Sequence, residues 1–203
     1  VQTCALPIFK HNGPLLDPHI VIKEYNKRHD LELNTYPGLE AQIASLSDDI
    51  AYNNHDIDDG FRAGFISLDD LKNIELFSEI IKEINSEFKG IDNYMIVKEL
   101  IRRLIGLMVN DLIKNTKKNI NKVNPKNAEE IRSHNGLIAS FSDFFISQDT
   151  QIRNFLRFKM YNNKNVLKKN NKGKLIIKKL FNKIIKNPKK FISKENFFED
   201  KYR

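Results

Sequence analysis

Apolar residues recur every three or four positions through most of the chain, which is the spacing of one face of an α-helix. In the segment from Thr35 to Gly60, Thr35 is a candidate N-cap and Pro37 suits the first turn. The apolar positions of this segment are Leu39, Ile43, Leu46, Ile50 and Ile57. We therefore predict a helix that ends at Gly60.

The same spacing predicts further helices. Ser67 precedes Asp70 by three residues, as in a capping box. Residues 94–116 carry a core stripe made of Ile96, Leu100, Ile101, Leu104, Leu107, Met108, Leu112 and Ile113. Shorter helices are predicted at residues 128–134, 144–161 and 175–185, with Phe141, Phe144 and Phe145 in the core. Only residues 136–142 show a strand-like pattern, so the sequence predicts an all-α bundle.

The composition is that of a basic globular protein. The chain has 203 residues, a net charge of +8 and 40% hydrophobic residues. Its heavy use of Lys, Asn and Ile is typical of an AT-rich genome, so part of the basic charge reflects codon usage. No apolar run approaches the roughly 18 residues of a membrane span, and we expect a cytoplasmic protein without membrane contact.

The first residues have a separate origin in our interpretation. Val1 to Ile8 back-translate to a common sequencing-adapter oligonucleotide, so we expect residues 1–8 to be an artefact. Cys4, the only cysteine, then carries no information about disulfides or catalysis.

An acidic ridge gives the first hint of function. Asp48, Tyr52 and Asp56 are four residues apart, so a helix places them on adjacent turns of one face. A solvated acidic face near a helix end is the more common origin of such a ridge. However, Asp56, Asp58 and Asp59 lie near the predicted helix C-terminus, where the helix dipole disfavours acids. A bound cation or ligand hydroxyl would be one compensation.

Four stretches, in order from Lys10 to about Val166, resemble one protein family. They are KHNGPL, HDLELNTYPGLEAQIASLSDDIAYNNHDIDDGFRAG, LIRRLIGLMVNDLI and FLRFKMYNNKNV. They are similar to bacterial deoxyguanosinetriphosphate triphosphohydrolase-like proteins of the HD-domain superfamily. The resemblance implies an HD-domain-like helical bundle, with residues 9–166 as the central part of the hydrolase domain and residues 167–203 as a basic helical extension.

The resemblance also implies a reaction and its cofactor. Family members hydrolyse a deoxynucleoside triphosphate to the deoxynucleoside and triphosphate with a divalent metal ion. Asp48 matches the metal-binding aspartate of the family, and its hard carboxylate oxygen suits Mg²⁺ or Mn²⁺. The family's other ligands, an H…HD segment, would precede Lys10, and relatives also continue past residue 203. We therefore expect this chain to be inactive alone and the full-length protein to be an active homo-oligomer.

Four further positions match residues that line the family's nucleotide site. Tyr52 and Asp56 follow Asp48, and the resemblance implies that Asp56 accepts a hydrogen bond from the sugar 3′-hydroxyl. Arg153 and Tyr161 match residues that meet the phosphates and the deoxyribose; both could instead be structural. The dipeptides His55-Asp56 and His29-Asp30 look like HD motifs in letters only. No role is assigned to the Lys10–Leu15 motif.

The basic tract at residues 159–190 contains many lysines and no acid. It suits either a solvated helix face or a surface that attracts nucleic acid. Two alternative functions therefore stay open: another HD-superfamily nucleotide phosphohydrolase, and a non-enzymatic basic helical module that binds nucleic acid.

Overall fold

The computed structural model describes residues 13–191, and all regular structure in that range is helical. The all-α prediction is confirmed. The α-helices are α1 Ile20–Arg28, α2 Leu39–Arg62, α3 Leu68–Lys72, α4 Glu75–Glu87, α5 Asn93–Val123, α6 Ala128–Ser133, α7 Asp143–Leu156 and α8 Lys164–Lys186. A π-helical turn, Arg157–Tyr161, follows α7, and a 3₁₀ turn, Pro188–Lys190, follows α8. The expected artefact at residues 1–8 lies outside the described residues.

The chain divides into two compact units, the first ending at Leu156 and the second starting at Arg157. The predicted domain boundary after residue 166 falls inside α8, and the domain assignment stays a prediction. None of the helices in residues 13–191 has the length and apolarity that crossing a membrane requires.

In the first unit, α5 packs against both α2 and α4, and α7 packs against α2. Helices α2 and α5 run antiparallel, because Asp58 near the end of α2 meets Lys98 near the start of α5. Most of the predicted α5 stripe is buried, at Ile96, Leu100, Leu104, Met108 and Leu112. The prediction was wrong for Leu107 and Ile113, which are 41% and 48% exposed. Buried positions on α5 recur every four residues, so these neighbours fall outside the core face.

The ends of α2 differ from the prediction. The N-cap is Gly38 rather than Thr35, whose hydroxyl instead donates to the carbonyl of Glu32. Gly60 is buried inside the helix, which continues to Arg62. The stop comes at Gly64, whose φ of +71° suits a residue without a Cβ, while the Phe65 N–H bonds to the Gly60 carbonyl at 2.9 Å.

Of the other local predictions, some are confirmed and others were wrong. The capping box at Ser67 and Asp70 is confirmed, but the helix it starts has only five residues, and a second helix follows Ile74. Phe144 is 56% exposed, which contradicts its predicted place in the core, whereas Phe141 and Phe145 are buried. Phe144 lies on the outer side of α7, where its ring makes a T-shaped contact with Phe145 at 5.2 Å between centroids.

Candidate functional site

The acidic ridge lies on α2, as predicted, with Asp48, Tyr52 and Asp56 on successive turns. Four residues of α-helix turn through about 400°, so each side chain is offset by only about 40° from the one before it. Asp48 is exposed, Tyr52 is 63% exposed and Asp56 is partly buried. The Asp48 carboxylate and the Tyr52 phenol are therefore open to a ligand, and neither is part of the core.

Beside this ridge, α2 contacts α7 through polar groups. The side-chain amide of Asn53 donates to Asp149 Oδ1 at 2.8 Å, and both side chains are buried. Arg153 Nε donates to Asp149 Oδ2 at 2.7 Å. The Arg153 Nη2 atom also reaches Asp49 Oδ2 at 3.3 Å. The ridge thus borders a hydrogen-bonded contact between two helices, and Arg153 lies at its edge.

The acids around Arg153 fix its charge. Its hydrogen bond to Asp149 is the main cause of a raised pKa, and the charge of nearby Asp49 adds to it, against partial burial. A guanidinium bound in this way stays cationic and keeps a fixed plane, which suits recognition of phosphate oxygens. Sequence reasoning identified Arg153 but not Asn53 or Asp149. The i,i+4 spacing of Asp149 and Arg153 was a local signal for Asp149, whereas no local signal pointed to Asn53.

Tyr161 ends the π-helical turn and is 47% exposed. It belongs to the second compact unit, in which the Asn162 N–H closes the turn on the Arg157 carbonyl at 3.0 Å. The predicted role of Tyr161 against the sugar stays a prediction.

The other face of α2 carries an apolar groove of about 350 Å³ between α2 and α5. His55 and Asp58 line it, with Ile101, Ile105 and Val109 opposite. Asp58 is paired with Lys98 at 2.8 Å and lies 4.0 Å from Arg62. Cationic side chains of the protein therefore offset the charge of this acid near the helix C-terminus.

The metal site predicted at Asp48 lacks a full set of ligands among the described residues. Within residues 13–191, no group of three or more His, Cys, Asp or Glu side chains is placed to hold a metal ion. His29 caps the end of α1, with its ring 4.9 Å from that of Tyr25, which suits a structural role. Asp48 offers one accessible carboxylate, so the described residues by themselves do not make a metal centre.

The chain is similar in sequence to known proteins that share one name. No family model matches the chain. Curated bacterial relatives named deoxyguanosinetriphosphate triphosphohydrolase-like protein match the chain, and three of them illustrate the similarity. The Bartonella quintana protein is 38% identical over 188 residues, covering 89% of this chain and 47% of the relative. The Pelagibacter ubique protein is 42% identical over 201 residues, which cover 97% of this chain and 54% of the relative. The Rhizobium meliloti protein is 33% identical over 203 residues, which cover 95% of this chain and 49% of the relative.

The chain spans about half the length of the curated relatives that it matches. The similarity nevertheless extends over about nine-tenths of this chain, including α2, α5 and α7. Over that shared half, the chain is homologous to proteins named deoxyguanosinetriphosphate triphosphohydrolase-like protein, at 33–42% identity.

Proposed function

We propose that this chain supplies part of a metal-dependent triphosphohydrolase that converts a deoxynucleoside triphosphate into the deoxynucleoside and triphosphate. The observation that carries the proposal is the match to relatives of that name at 33–42% identity. The accessible ridge of α2 and the fixed guanidinium of Arg153 support it.

Each residue of the ridge has a role in the proposal. Asp48 gives one hard oxygen ligand to Mg²⁺ or Mn²⁺, and the remaining ligands come from outside the described residues. When bound, such an ion supplies Lewis acidity at a phosphoryl group. Asp56 accepts a hydrogen bond from the sugar 3′-hydroxyl, and Tyr52 lines the same surface.

Two residues from the end of α7 and the turn after it complete the substrate contacts. Arg153 donates charge-assisted hydrogen bonds to the phosphate chain. Tyr161 packs against the deoxyribose, so that a ribose 2′-hydroxyl would clash with it. The proposal therefore includes discrimination between sugars by shape.

The test is an assay of the full-length protein with dGTP and Mn²⁺, with products separated by anion-exchange chromatography. We expect triphosphate and deoxyguanosine, and at least a hundredfold lower rate for Asp48→Asn, since metal-ligand loss is severe. Asp69→Asn is the matched control, because Asp69 is an exposed acid that, within residues 13–191, pairs only with its helical neighbour Lys72. Release of pyrophosphate or single phosphates would instead identify another nucleotide phosphohydrolase, and an unchanged Asp48→Asn rate would overturn the proposed ligand.

A second candidate is nucleic-acid binding by the second unit. Helix α8 carries lysines and no acid, and its apolar side chains Ile177 and Phe181 are exposed. Binding of single-stranded DNA that weakens steeply with salt, and that Asp48→Ala leaves unchanged, would favour this function.

A further inference from the structure

Asp149 is a buried carboxylate with both oxygens engaged. Only 7% of the residue is exposed. Its Oδ1 accepts from the Asn53 amide at 2.8 Å, and its Oδ2 lies 2.7 Å from Arg153 Nε and 2.6 Å from Arg153 Nη2. Burying a charged carboxylate is unfavourable unless all its partners are in place, so this arrangement needs a reason.

The second helix distinguishes this group from an ordinary ion pair. An i,i+4 pair on one exposed helix leaves the arginine free to change rotamer and contributes little to stability. Here Asn53 of α2 holds the carboxylate from the opposite side. The guanidinium is therefore fixed relative to α2 as well as to α7, within 3.3 Å of Asp49, the residue next to Asp48.

Within residues 13–191, one edge of the guanidinium makes no hydrogen bond. Arg153 Nε and Nη2 bond to acids, whereas Nη1 has no acceptor within the described part of the chain. The Arg153 side chain is 48% exposed, so part of it is open to solvent and to an anion.

We propose that Asp149 and Asn53 are positioning residues that hold the Arg153 guanidinium beside the α2 ridge, with Nη1 directed to the phosphate chain of the substrate. This inference rests on the proposed function of Arg153. Asp149 and Asn53 act through Arg153 and do not touch the substrate. Their hydrogen bonds hold the Arg153 side chain in one rotamer. Less conformational entropy is then lost when the anion binds.

The direction in which Asp149→Asn changes the affinity for an anion distinguishes a positioning role from a simple charge effect. Asp149→Asn removes a negative charge next to the anion site, so Coulomb attraction alone would strengthen anion binding. Loss of positioning would weaken it. Asn53→Ala leaves every charge unchanged and should weaken binding for the same geometric reason.

The experiment measures binding of inorganic tripolyphosphate to the full 203-residue chain by titration calorimetry at low salt. We expect about fivefold or greater weakening in Asp149→Asn and in Asn53→Ala, and loss of binding in Arg153→Gln. Asp49→Asn is the matched control: it also removes an acid near Arg153, but one joined only by a 3.3 Å contact, and should not weaken binding. Circular dichroism shows which variants remain folded, and Asn53→Ala serves if Asp149→Asn does not fold.

A second readout follows the Arg153 side chain directly. The Nε–H resonance of Arg153 should exchange slowly with water in the parent chain and quickly in both positioning variants. Slow exchange in Asp149→Asn and Asn53→Ala would overturn the positioning role alone. So would tripolyphosphate binding that is unchanged or tighter in these two variants while Arg153→Gln binds weakly. Equal binding by Arg153→Gln and the parent chain would overturn the phosphate role of Arg153, and this inference with it.

Discussion

Gln42 joins the start of α2 to the segment before α7. It is 2% exposed, its Nε2 donates to the Pro37 carbonyl at 2.8 Å, and its Oε1 accepts from the backbone N–H groups of Ile138 and Ala139. One side chain therefore satisfies three backbone groups that the fold has removed from water.

Replacing this amide should cost more stability than its size suggests. We expect Gln42→Leu to lower the free energy of unfolding by about 3 kcal/mol or more, since each buried group left unpaired costs about 1–3 kcal/mol. Urea denaturation followed by circular dichroism measures the change. Gln148→Leu is the control, because Gln148 is also buried but its Oε1 has no hydrogen-bond partner in residues 13–191. Similar losses in the two variants would contradict this role for Gln42.

At the level of elements, ion pairs join α4 to α5. Arg103 on α5 contacts Glu99 on its own helix at 2.8 Å and also pairs with Glu87 on α4. Hydrogen bonds from Arg102 and Arg103 lower the pKa of Glu99 from 4.5 to about 2. Glu99 is thus charged in the folded chain at pH values where it would be protonated in the unfolded chain.

The direction of the resulting pH dependence follows from linkage. The stabilisation from Glu99 is complete above pH 4.5 and is lost as the pH falls through this range towards 2, because the unfolded chain takes up the proton first. We expect Glu99→Gln to reduce the fall in unfolding free energy between pH 4.5 and 2. Urea titrations across this range should show no such reduction for Glu79→Gln, an exposed acid on α4. Parallel pH curves for Glu99→Gln and the parent chain would refute the linkage.

The capping box at the start of α3 is a second stabilising feature at the level of elements. Ser67 Oγ accepts from the Asp70 N–H at 3.1 Å, and the Asp70 carboxylate accepts from the Ser67 N–H at 2.9 Å. We expect Ser67→Ala to lower the free energy of unfolding by about 1 kcal/mol, a usual value for a lost N-cap. Ser67→Asp keeps an acceptor and should restore most of the loss in the same denaturation experiment. No difference between these two variants would show that the cap contributes nothing.

On the scale of the whole molecule, the described core lies in one unit. Every buried apolar side chain of residues 13–191 falls at or before Leu156, and the second unit has no buried residue in its π turn or in α8. A chain ending at Leu156 should therefore unfold cooperatively, with a free energy within about 1 kcal/mol of the full chain, since burial supplies most of the stability. Urea denaturation of the two chains makes the comparison. A shortened chain that is molten or unfolded would show that the second unit is required.

The sequence predicted the site unevenly. Helical spacing alone placed Asp48, Tyr52 and Asp56 on one ridge, and the structure has them on one helix. It did not identify Asn53 and Asp149 as partners, because they are 96 residues apart and nothing in either segment encodes the other. It also suggested a ligand for the acids near the end of α2, where Lys98 of another helix already meets Asp58.

The sequence by itself determined much of what depends on neighbours within a few residues: most of the longer helices, the Ser67 cap and most of the buried stripe of α5. These rest on periodicity and on hydrogen bonds between residues three or four apart. The sequence predicted neither α1 nor the start of α8 at Lys164. Only the tertiary structure decided which faces of α2 meet α5 and α7, where α2 ends, and why Phe144 stays outside the core. Such outcomes depend on contacts between distant segments, which a local pattern permits in several forms and only packing selects.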